Sequence, residues 1–284
     1  MKLFRNTFTV TALLAGTALL SCGSSPKNQT QTEETTAEAA EVQVPIFNAD
    51  SAFAYVKAQT DFGPRVPNTA AHRACGDYLA GQLEKFGAKV YNQQTDLMAY
   101  DGTLLKARNI IGAYNPESKK RAHWDCRPYA DQDEATNHKK PIDGANDGAS
   151  GVGVLLEIAR QLQQQAPAIG IDIIFFDAED YGTPDFYEGQ RKPDTWCLGS
   201  QYWGRIPHVP DYKARFGILL DMVGGKNATF MYERYSKRTA NNAMKKIWNM
   251  AEKLGYNNYF IKKDGGEVTD DHIYVNLFRQ IPCV

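Results

Sequence analysis

The chain carries no excess charge of either sign: its 284 residues hold 32 Lys and Arg against 33 Asp and Glu, a formal net charge of -1. The basic residues form no stripe either, and without that electrostatic footprint no nucleic-acid partner is expected. Cysteine is scarce, with five residues at positions 22, 75, 126, 197 and 283 and none in a Cys-x-x-Cys arrangement. A closed, thiolate-rich structural zinc site is therefore not encoded. The apolar stretch from Phe8 to Leu20 is too short to anchor the chain across a bilayer. No internal repeat is visible, which removes solenoids and propellers.

What is present begins with an export signal. Lys2 and Arg5 precede the Phe8–Leu20 stretch, which ends in Leu19-Leu-Ser-Cys22-Gly. The arrangement resembles a bacterial lipoprotein signal, with Cys22 as the lipid-carrying first residue of the mature protein; the alternative is an ordinary secretory signal cleaved nearby. Residues 1–22 are thus read as a signal peptide, 23–43 as a polar, disordered tether, and 44–284 as one catalytic domain. The expected location is the cell envelope, periplasmic or outer-membrane anchored, with the membrane reached only through the lipid. In an exported protein the other four cysteines could pair or stay as buried thiols, and the sequence leaves both open.

Asn48 can cap a helix to about Gln59, and the spacing of Cys75, Leu79, Leu83 and Phe86 gives a second helix. Strands are expected at 90–100, 108–114, 171–176, 216–221 and 228–232, with helices at 149–165 and 239–254. The alternation indicates an α/β three-layer sandwich, a mixed and mostly parallel central sheet flanked by helices.

In such folds functional groups gather beyond the strand ends. The apolar run Ile173-Ile-Phe-Phe stops at Asp177, Glu179 and Asp180; the last two leave a strand end in different directions, so one can hold a metal while the other moves a proton. Four more blocks place polar groups at element ends: His123-Trp-Asp125, Asp143-Gly-Ala-Asn-Asp147-Gly-Ala-Ser-Gly151, Leu219-Leu-Asp221-Met-Val-Gly224 and Thr269-Asp270-Asp271-His272. Singly, each has an ordinary explanation: Asp147 or Asp270 as a helix cap, His123 as a core histidine, Asp221 as a turn residue. Together they point to a metal-assisted acyl chemistry.

This ordered set resembles the zinc-peptidase family of bacterial leucine aminopeptidases, and Asp194-Thr-Trp196-Cys-Leu-Gly-Ser-Gln-Tyr-Trp203 is similar to its bacterial glutaminyl cyclase branch. The resemblance implies that Asp147 and Asp180 bind zinc and that Glu179 transfers the proton. It implies further that Asp221 and Asp270 form an acidic hydrogen-bond pair near the substrate amine and that Trp196 walls the pocket. In the related aminopeptidases the positions of His123 and Asp221 hold a second zinc, so one zinc is expected for a cyclase and two for a peptidase, with His123 and Asp125 as second-metal or supporting residues. The expected substrates are peptide or protein N-termini, cyclised at Gln in the first reading and hydrolysed in the second. A lipid-anchored binding protein is the third.

Two features depart from the family pattern. His123 is preceded by Pro116-Glu-Ser-Lys-Lys-Arg-Ala122, with no apolar run, so about one strand is read as missing before it and His123 and Asp125 should be misplaced. The family's final zinc ligand, a His beyond the Ile281-Pro-Cys-Val284 strand, is not in the sequence, and His138, His208 and His272 are not expected to replace it. The domain therefore reads as C-terminally truncated, with weak zinc binding and impaired activity.

Overall fold

The computed structural model describes residues 44–115 and 122–284. Residues 1–43, where the signal peptide, Cys22 and the tether are expected, lie outside the described residues, as do residues 116–121. Asn48 caps α1 (Ala49–Thr60) by accepting from Ser51 N at 2.9 Å, and Thr69 caps α2 (Ala70–Lys85) through His72 N. Each satisfies a backbone donor that the first helical turn leaves open.

Strands β1 (Lys89–Met98) and β2 (Leu104–Tyr114) form a hairpin, followed by β3 (Ala122–His123), α3 (Ala149–Gln164) and β4 (Ile171–Phe176). The sheet order is β1-β2-β4-β3; β1–β2 and β2–β4 are antiparallel and only β3–β4 is parallel. Among the described residues the sheet is therefore mixed but not mostly parallel. The cause is local: the turn closed by Ala99 N donating to Thr103 O at 2.9 Å is too short for the crossover that a parallel pair needs.

Every residue of β4 is buried because helices cover both faces. Ile171, Ile173 and Phe175 pack with Leu79 and Leu83 of α2 and Val152, Leu155 and Leu156 of α3. Ile174 and Phe176 point the other way, onto Trp203 of α4 (Leu198–Arg205) and, from later in the chain, Val275. The side-chain period of two thus divides one apolar run between two cores.

The rest comprises β5 (Phe230–Tyr232), α5 (Arg234–Thr239), α6 (Asn241–Lys253), β6 (Phe260–Asp264) and α7 (Asp271–Arg279), with β5 and β6 paired in parallel. The helix expected over 239–254 is α6, with the short α5 ending just before it at Thr239. The strand expected at 216–221 is reduced to a bridge between Gly217 and Cys283, with Leu219 N donating to Val284 O at 2.7 Å. No helix of the described residues is long and apolar enough to cross a membrane.

The segment before His123 does not have the expected consequence. β3 is only two residues long, yet it stays in register, Ala122 opposite Phe175 and His123 opposite Phe176. Trp124 holds it there: its backbone N donates to Phe176 O at 2.9 Å, its indole N donates to Arg108 O at 3.2 Å, and its fully buried ring stacks on His72. His123 and Asp125 are consequently not displaced from the strand end.

Candidate metal and acid centre

Beyond Phe176 the chain turns through Ala178, whose φ of +53 is left-handed. Asp177 braces this turn, its carboxylate accepting from His72 Nε2 at 2.9 Å and from Arg108 N at 2.6 Å. Asp125 fixes the next two residues, accepting from Glu179 N at 3.0 Å and from Asp180 N at 3.2 Å. Two buried acids thus orient the pair that follows them.

Among the described residues most of these side chains form two groups, and Asp180 belongs to neither. In the first, donor atoms of His123, Asp147 and Asp221 lie within 4.8 Å of one another. His123 Nε2 is 2.9 Å from Asp221 Oδ1 and 3.6 Å from Asp147 Oδ1, while Nδ1 is 3.6 Å from Asp125 Oδ1. Asp147 is not the cap of α3; Gly148 holds that position without a side-chain bond, so the Asp147 carboxylate is left for the site. A Cβ at residue 148 would overlap the His123 ring, which is why glycine is needed between them.

In the second group, Glu179, Cys197 and Asp270 lie within 4.8 Å, all buried. Cys197 Sγ donates to Glu179 Oε1 at 3.0 Å, and Asp270 caps α7 by accepting from Asp271 N at 2.6 Å. Asp221 and Asp270, paired by the resemblance, therefore fall in different groups. Trp196 is half-buried against Gly182, with the Arg127 guanidinium 4.3 Å from its ring centre. Arg127 donates to Asp131 Oδ1 at 2.6 Å and lies 4.0 Å from Asp180 Oδ1.

The electrostatics follow from crowding acids out of water. Burial first, then the charges of Asp147 and Asp125, push Asp180 well above the carboxylate range; burial and then Asp180 do the same to Glu179. Asp270 is raised by burial and then Asp271, and Asp147 is raised mainly by burial. Burial disfavours a charge on His123, but Asp221, Asp125 and Glu179 outweigh it and hold the imidazole pKa well above 6.5. The group thus draws in a proton where a cation would serve.

His138, His208 and His272 join neither group: they face Asp133 O, Trp203 and Glu233 respectively. Cys75, Cys126, Cys197 and Cys283 are free and buried, which decides the question the sequence left open. Sequence reasoning missed the contacts of Cys197 and Arg127. The only signal was adjacency, Cys197 next to Trp196 and Arg127 two residues after Asp125.

The model of peptidase family M28 matches residues 109–284. A glutaminyl cyclase of Bacteroides thetaiotaomicron, solved with N-acetylhistamine, is 64% identical with a TM-score of 0.83, covering 85% of this chain and 85% of its own. A Zn-dependent exopeptidase of Parabacteroides distasonis is 61% identical with a TM-score of 0.84, covering 85% and 84%. Aminopeptidase YwaD of Bacillus subtilis is 24% identical over 74% of this chain, and the chain spans 42% of that protein's length. The match over more than half the chain, together with the acids at the strand ends, places this protein in peptidase family M28.

Proposed function

We propose that the chain is a zinc-dependent glutaminyl-peptide cyclotransferase, converting the N-terminal Gln of peptides or proteins to pyroglutamate with release of ammonia. The observation that carries this is the place of Glu179: buried, next to Asp180, yet grouped with Asp270 rather than with His123, Asp147 and Asp221. A buried carboxyl whose pKa is raised well above the ordinary carboxylate range, beside a metal-ligand candidate, suits proton transfer. The similarity to the Bacteroides thetaiotaomicron cyclase supports the reading.

The residues fit a zinc ion. Asp180 Oδ2 is buried without a hydrogen-bond partner, and with Asp147 it supplies an open carboxylate pair, two of the three protein ligands that a catalytic zinc normally takes. Asp147 and Asp180 would hold the ion, with His123 and Asp221 beside Asp147. Bound there, zinc supplies Lewis-acid polarisation of the γ-amide carbonyl. The chain's own groups do the rest: Asp270, with Asp221 near it, favours the positive end of the peptide, and Trp196 forms an apolar wall. As the α-nitrogen bonds to the γ-carbon, Glu179 takes its proton and returns it to the nitrogen that leaves as ammonia. Both partners belong to one substrate, so positioning supplies much of the rate.

An aminopeptidase is the second reading, favoured by the His123, Asp147 and Asp221 group, which offers donors for another ion. Assaying Gln-peptides beside aminoacyl-arylamides separates the two, ammonia release with a blocked N-terminus supporting cyclisation and arylamine release supporting hydrolysis. Glu179→Gln should lower turnover by roughly 10²- to 10⁴-fold, and full turnover in that variant would refute both. The envelope location belongs to the same proposal: Cys22→Ala should abolish labelling by a radioactive fatty acid, and retained label would refute lipidation at Cys22.

A further inference from the structure

Glu179 cannot rely on its own element for orientation, because it follows the last residue of β4 by three positions. Asp125 holds its backbone N at 3.0 Å, and a second restraint comes from the start of α4. Cys197 N donates to Glu179 O at 2.9 Å and Leu198 N donates to Ala178 O at 3.0 Å. Ala178 and Cys197 both have left-handed backbones, at φ +53 and +56. A Cβ at Gly199 would overlap Asp177 O, so only glycine lets the two turns come this close. The interlocked turns bring Cys197 Sγ to 3.0 Å from Glu179 Oε1, with Cys197 fully buried.

The thiol has one proton to donate, and a carboxyl oxygen is its acceptor. Burial, then the charges of Glu179 and Asp271, push the Cys197 pKa well above its usual value, which keeps the sulfur protonated. A donor fixed on Oε1 directs proton exchange to Oε2.

We propose that Cys197 is the positioning residue of the proton carrier, its S–H holding the Glu179 carboxyl in one orientation through the catalytic cycle. This rests on the reading of Glu179 as that carrier. A thiol that merely filled core space would show the same burial but would not answer to the identity of residue 179.

The test uses the full chain. In the wild type minus Cys197→Ser infrared difference spectrum, the S–H stretch of Cys197 is isolated from the other thiols. It should lie at the lowered frequency of a bonded thiol and move up when Glu179→Ala removes the acceptor. A band unmoved by Glu179→Ala overturns the proposal whether or not the protein turns over. In kinetics, losing a bond of this kind should cut kcat about ten- to a hundredfold in Cys197→Ala with KM little changed, and Cys197→Ser should restore most of it. Equal loss in the Ser and Ala variants, tracking a fall in Tm, would mean core packing only and would overturn it too. If Glu179→Gln kept full turnover, the proton-carrier reading would fail, while the infrared result would still report the thiol contact.

Discussion

Asp271 offers the clearest test of the electrostatics. It opens α7, where a helix favours negative charge, but it is 1% exposed. Burial is the largest influence; the charge on His123 and then a hydrogen bond with Ser200 oppose it, leaving the Asp271 pKa at about 7 against an ordinary 3.8. At about 1.4 kcal/mol per pH unit, the rise corresponds to at most about 4–5 kcal/mol. The folded chain keeps this proton up to about pH 7 whereas the unfolded chain loses it near 3.8. Raising the pH through that window therefore favours the unfolded state, and the loss levels off above it. Asp271→Asn removes the ionisation. Urea unfolding followed by tryptophan fluorescence, with chelator present, should show the variant's advantage growing from near zero at about pH 4 to a few kcal/mol at about pH 7.5. An advantage that does not change with pH, or a wild type more stable at the alkaline end, would refute the reasoning.

Zinc affinity should rise with pH because Asp147 and Asp180 are both raised and must lose protons to become ligands. Calorimetry in buffers of different ionisation enthalpy should register proton release, and Asp180→Asn should bind more weakly; binding without proton release would contradict the shifts. Arg127→Ala removes the cation stacked on Trp196, so KM for Gln-peptides should rise several-fold with kcat less affected, and an unchanged KM would detach Trp196 from the substrate. Phe175→Ala should cost about 3–5 kcal/mol by leaving a cavity between β4, α2 and α3, read as a shift in the urea midpoint.

Much was legible in residue order. Asn48 as a cap, the stripe of Cys75, Leu79 and Leu83, the buried run of β4 and the cap at Asp270 all depend on neighbours within a few residues, so local rules reach them. Strand direction was not legible in the same way: alternation reports which face is buried and says nothing about the partner's direction, and the antiparallel β1–β2–β4 arrangement departed from expectation for that reason. The two-residue β3 departed likewise, because what holds His123 in place is the burial of Trp124 against a helix far away in the chain.

The sequence by itself determined which acids stand at strand and helix ends, and its motifs carried the resemblance to the family. These follow from residue type and short spacing. Only the tertiary structure decided how the acids divide, with Asp221 on His123 and Asp270 beside Glu179, and that Cys197 reaches Glu179. The physical reason is that these contacts join residues from about 20 to nearly 100 positions apart, and burial shifts a carboxyl's pKa according to which other charges share its cavity.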